Sequence, residues 1–146
     1  MIAELNEVPM KSPIFDSVQI GDELAILQVP PVNRTTLALF AGASGDHNPI
    51  HIDIDFARKA GLPDVFAQGM LGMAWLGRLL TGWAPQSQLR RLDVRFQGIT
   101  HLGHAMTCSG RVIEKFDGER SVRIELRSTN QYGQVNISGE ALIALR

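Results

Sequence analysis

The sequence predicts an α+β fold: a single domain in which an antiparallel five-stranded sheet wraps around one central helix. Three observations carry this. Residues 69–80 are apolar around most of a helical circumference, the hydrophobic period switches to two from Leu89 onward, and turn residues punctuate the second half of the chain. At 146 residues the chain has the length of one domain and can bury a core without disulfides or metal.

The elements follow in chain order. Residues 1–13 carry two prolines and little periodicity and read as an N-terminal arm, leaving 14–146 as the folded domain. Residues 23–29 are an apolar-rich strand ended by Pro30 and Pro31. Asn33 or Thr35 can cap a short helix over 36–43, whose Leu37, Phe40 and Ala41 share one face. Asp53 or Asp55 starts a second short helix over 54–60, which Gly61 and Pro63 stop. In the central helix Met70, Leu71, Met73, Ala74, Leu76, Leu79 and Leu80 cover most of the circumference and predict a largely buried helix, with Arg78 the exception. Gly69, Gly72, Gly77 and Gly82 are expensive in a helix at roughly 1 kcal/mol each, so close packing against a sheet or room beside the helix must justify them. Beyond it, Leu92, Val94 and Phe96, then Val122, Ile124 and Leu126, then Ile137, Ala141, Ile143 and Leu145 fall on one face of successive strands, and 104–116 forms a further strand. Turns at 115–119 and 130–133 suggest that these four strands run as a meander.

Composition removes several classes of function. With 45% hydrophobic and 20% charged residues the chain is not disordered, and a net charge of −1 offers no field for nucleic acid or an anionic membrane. The longest apolar-rich stretch is too short for a bilayer and contains Arg78. Glu4 and Glu7 interrupt the start, so no secretory leader is expected, and the single Cys108 suits a reducing cytoplasm.

The polar and conformationally special residues concentrate in 44–55. Gly45 can end the preceding helix, and Pro49 removes an N–H and biases Asn48 towards extended backbone, so Asp46 to His51 form a stiff loop. Three readings compete. Asp46 and Asn48 could be turn residues with His51 a core histidine. His47, His51, Asp53 and Asp55 could bind metal, although Pro49 removes the helix on which a His-x-x-x-His spacing best converges, and no metal or other cofactor is expected. The third reading is acid–base catalysis by Asp46 and His51 with Asn48 as orienter.

Phe40-Ala41-Gly42-Ala43-Ser44-Gly45-Asp46-His47-Asn48-Pro49-Ile50-His51-Ile52-Asp53, with Phe56 and Ala57 behind it, resembles the signature of the MaoC-like (R)-specific enoyl-CoA hydratases, or hydratase 2. Ala67 to Leu71 resembles the opening of that family's central helix, and Leu92 to Phe96 its Val-Arg-Phe strand, so the likeness spans about 20–146. The resemblance implies the hotdog fold and reversible hydration of trans-2-enoyl thioesters to (3R)-hydroxyacyl thioesters. It implies that Asp46 and His51 activate water, Asn48 fixes their geometry, and the backbone N–H of Gly69 holds the developing oxyanion, with Gln68 and Ser44 supporting the site from behind. Gln68 stands where the family often has His, Ala74 where some members have Ser, and residues 100–103 replace a Pro-containing turn, with His101 and His104 expected at the surface.

The resemblance implies a thioester carried on coenzyme A or acyl carrier protein. Arg90, Arg91 and Arg95 are either cations for its phosphates or solvated strand faces. Open sheet edges and the family's habit imply a homodimer at least. A non-catalytic partner subunit of a heteromeric dehydratase and a hotdog thioesterase are the alternatives.

Overall fold

The computed structural model describes residues 12–146, so the arm expected over 1–13 lies, but for its last two residues, outside the described residues. The elements are β1 (Leu27–Val29), α1 (Arg34–Ser44), α2 (Ile54–Lys59), α3 (Gly69–Thr81), β2 (Leu89–Phe96), β3 (Met106–Phe116), β4 (Ser121–Thr129) and β5 (Val135–Ala144). The strands form one sheet in the order β1-β3-β4-β5-β2, and every neighbouring pair is antiparallel. This is the expected five-stranded sheet around a central helix.

Alternation decides which face of the sheet meets the helix. Val122, Ile124 and Leu126 are fully buried, as are Met106, Cys108 and Val112 on β3, and Ile137, Ala141 and Ile143 line the same core from β5. Leu71, Trp75, Leu76, Leu79 and Leu80 of α3 press into them. Each Val, Leu, Ile or Met among them stabilises the fold by roughly 1.5–3 kcal/mol. Gly72 is explained by close packing, since a Cβ there would sit 2.3 Å from Ile137 Cδ1. Burial also raises the pKa of the Cys108 thiol, a raising cause larger than the opposing hydrogen bond to Ser128.

Three expectations need correction. The last four strands are not a simple meander: β3, β4 and β5 are hairpin-linked, but β2 pairs with β5 at the far edge. The 97–105 connection is too long for a tight hairpin and crosses the end of the sheet instead. The early strand is shorter than 23–29; Leu27–Val29 form its ladder with β3, Glu23 makes only an isolated bridge to Arg111, and Ile26 is exposed. Nor is Arg78 the one exception to the burial of α3. Met70 (55% exposed), Ala74 and Arg78 form one open stripe, because five strands curl around only part of the helix.

The capping chemistry follows the sequence. Asn33 caps α1 by accepting from Thr36 N–H at 2.9 Å, and Asp53 caps α2 by accepting from Asp55 and Phe56. Phe15 N–H donates to Arg146 O at 2.8 Å, which ties the segment before β1 to the last residue of the chain. No helix among the described residues is long and apolar enough to cross a membrane.

Candidate active site

The site begins where α1 ends. Gly45 adopts φ 77° and donates to Ala41 O, closing the helix in the left-handed region that glycine tolerates. Ser44 Oγ donates to Phe40 O at 2.6 Å and accepts from Asp46 N–H at 3.1 Å, so it fixes the backbone that carries the carboxylate. Asn48 N–H donates to Asp46 Oδ1 at 3.3 Å, and the Asn48 side chain accepts from Ile50 N–H at 3.1 Å, capping a 3-10 turn over Pro49–His51. Asn48 therefore orients Asp46 through its backbone, while its side chain shapes the turn that presents His51.

His51 is 8% exposed, and its Nδ1 lies 2.7 Å from Phe66 O, with the two rings edge to face at 4.9 Å. A carbonyl can only accept, so Nδ1 carries the proton in both charge states of the ring, and Nε2 is left to take or give one. Nε2 stands 3.7 Å from Asp46 Oδ2. That separation is too long for a direct hydrogen bond, but it lets both atoms reach one water at about 2.8 Å.

Gln68 is buried between α1 and the start of α3. Its Nε2 donates to Leu37 O at 3.0 Å, and its Oε1 is buried without a partner among the described residues. It gives α3 no side-chain cap, so the N–H of Gly69, the first helical residue, is one of the unsatisfied donors at the positive end of the helix dipole. Beside it lies a cavity of about 300 Å³ lined by Phe66, Gly69, Phe96, Thr100 and Ile137 among others. A larger concavity, about 680 Å³, lies on the outer sheet face. Most of its charges are paired, Arg91 with Asp93, Arg127 with Glu125 and Glu140 with Arg123, while Arg95 has no ion pair among the described residues.

The remaining sequence candidates fall elsewhere. His47, Asp53 and Asp55 do not converge with His51: Asp53 is spent on the α2 cap and His47 is exposed, and no cluster of three metal-ligating side chains occurs among the described residues. Arg91 and Arg95 line the outer-face concavity, and Arg90 donates to Ser87 O. His101 and His104, expected at the surface, are half-buried, with His101 N–H donating to His104 Nδ1 at 3.2 Å. Sequence reasoning missed Phe66, because it acts through a backbone carbonyl that any residue could supply.

Comparison with known proteins shows the family and the fold. The MaoC like domain matches residues 16–132. An (R)-specific enoyl-CoA hydratase from Rhodospirillum rubrum is 26% identical, with the alignment covering 88% of this chain and 89% of that protein. The fatty acid synthase subunit beta of Saccharomyces cerevisiae is 27% identical over 90% of this chain, which spans only 6% of that subunit's length. The solved R-hydratase of Pseudomonas aeruginosa superimposes with a TM-score of 0.80 at 27% identity, covering 91% of this chain and 86% of that one. With the sheet wrapped around α3 and a family match over most of its length, this hotdog-fold chain belongs to the MaoC-like dehydratase family.

Proposed function

We propose that the chain is an (R)-specific hydratase/dehydratase that adds water reversibly, in the syn sense, across trans-2-enoyl thioesters to give (3R)-hydroxyacyl thioesters. The observation that carries this reading is the Asp46–His51 pair at 3.7 Å with Nδ1 of the imidazole committed to Phe66. A water held between Oδ2 and Nε2 loses a proton as its oxygen bonds to C3. The C2–C3 π electrons move to the thioester oxygen, which the Gly69 N–H stabilises, and C2 then takes a proton from the protonated pair. Two titratable groups in unlike surroundings, one buried and one 40% exposed, suit this division of labour.

The substrate is carried on coenzyme A or acyl carrier protein in the cytoplasm, with the acyl group beside Gly69. The outer edge of β2, unpaired among the described residues, favours a homodimer. Incubating the purified chain alone with crotonyl-CoA and, separately, with crotonyl-acyl carrier protein tests the proposal. Enoyl absorbance should fall without release of free thiol. Thiol release would indicate a thioesterase, and no change with either carrier would indicate a non-catalytic partner subunit; either result overturns the proposal.

A further inference from the structure

Asn136 on β5 is 2% exposed, an unusual place for an amide unless its hydrogen bonds are made. Apart from a long contact of Nδ2 with Met106 Sδ at 3.9 Å, its side chain and carbonyl turn to one loop. Its backbone oxygen accepts from Gln97 N–H at 2.8 Å and Gly98 N–H at 3.1 Å, and its Nδ2 donates to Thr100 Oγ1 at 3.0 Å and reaches Ile99 O at 3.3 Å. Gly98 lies so close that a Cβ would stand 3.1 Å from Asn136 Oδ1. Four consecutive residues, 97–100, thus hang on a single sheet position.

The other side of that loop holds the site. Thr100 O accepts from Ala67 N–H at 2.9 Å, and His101 forms an antiparallel bridge with Phe66. Phe66 supplies the carbonyl that fixes His51, and Ala67 lies just ahead of the helix that Gly69 opens. Contacts therefore run unbroken from β5 through Asn136 and Thr100 to two of the three groups assigned to the chemistry, His51 and the Gly69 N–H.

We propose that Asn136 and Thr100 are positioning residues, which set the orientation of His51 and of the Gly69 N–H relative to each other. This rests on the reading of His51 as the acid–base group. Misplacing a reacting group by about 1 Å can cost on the order of 100-fold in rate, so a loop that supports both elements has leverage on turnover without touching the reacting atoms.

Thr100→Val keeps the side-chain shape and removes the hydroxyl, whereas Thr100→Ser keeps the hydroxyl and loses a methyl group. Ring ¹⁵N spectra of His51 in the ligand-free protein report the tautomer directly. The proposal expects Thr100→Ser to keep the Nδ1–H pattern. It expects Thr100→Val to shift towards the Nε2–H tautomer and to lose roughly tenfold or more in kcat with KM within about threefold, by the same positional sensitivity. Asn136→Asp, which replaces the donor with an acceptor, should move both readouts the same way. Retention of the Nδ1–H pattern in folded Thr100→Val and Asn136→Asp, or a fall in Thr100→Ser as large as in Thr100→Val, would overturn it. The nitrogen shifts decide the matter even if no enoyl thioester is hydrated, so failure of this inference and failure of the proposed reaction are distinguishable.

Discussion

Gly69→Pro removes one hydrogen-bond donor at the position where proline is best tolerated. Gly69 is the first residue of α3, where the N–H has no intrahelical partner and a φ near −65° is already helical. Gln68 before it has φ −57° and ψ 135°, the extended geometry that a following proline requires. The added ring carbons meet the Phe96 side chain, whose Cε1 and Cδ1 lie 3.2 and 3.3 Å from an ideal Cβ; Phe96 is 54% exposed and can yield a few tenths of an ångström. Stability should therefore change by less than about 1 kcal/mol. Loss of an oxyanion donor should raise the barrier by about 2.7–4 kcal/mol, a fall of 10²–10³ in kcat. The assay is loss of enoyl absorbance with crotonyl-CoA, alongside thermal melting. Gly69→Ala is the control, because it keeps the N–H and adds the same Cβ. A folded Gly69→Pro enzyme with turnover within about threefold of wild type would refute the donor role, whereas an equal loss in Gly69→Ala would assign the effect to crowding at Phe96.

Two further outcomes follow from packing and charge. A Cβ at Gly139 would lie 2.1 Å from Asp93 O and 2.9 Å from Val94 Cα, both backbone atoms of β2. Gly139→Ala should therefore force β2 from β5 and cost about 2–4 kcal/mol in denaturant melts, at roughly 1 kcal/mol per ladder bond lost; an unchanged midpoint would contradict the register. Burial, and after it the neighbouring His101, holds the His104 imidazole below the ordinary histidine value of about 6.5. The unfolded chain then binds that proton more readily, so the stabilising contribution is whole above about pH 6.5 and is lost as pH falls through the lower folded value. Melting temperature should drop on going from pH 7.5 to 5.5, and His104→Gln should flatten part of that drop; equal slopes would contradict the environment described for His104.

The parts legible in the sequence were those governed by local rules. Asn33 and Asp53 as caps, Gly45 and Gly61 as left-handed helix ends, and the alternation of Val122, Ile124 and Leu126 all rest on interactions within a few residues or on a period of two. The loop that carries Asp46 and His51 was legible because Pro49 restricts the backbone and Gly45 permits a left-handed helix end whatever surrounds them. Strand order was not: nothing local to 89–96 says that β2 pairs with β5 rather than β3, since the choice depends on how residues 97–105 cross the sheet end. The supports of His51 were hidden for a similar reason. Phe66 acts through its carbonyl, and Asn136 through a contact with Thr100 that only the folded chain creates. The open stripe at Met70, Ala74 and Arg78 escaped because apolar periodicity cannot show how far a sheet will curl.

Asp46→Asn is the most direct test of the acid–base pair. The amide oxygen can still accept from Asn48 N–H, so the loop should keep its shape and the melting temperature should stay close to wild type. The account predicts that hydration of crotonyl-CoA falls by about 10²–10⁴-fold, the usual worth of a positioned acid or base. A folded Asp46→Asn protein that turns over at near wild-type rate would contradict it.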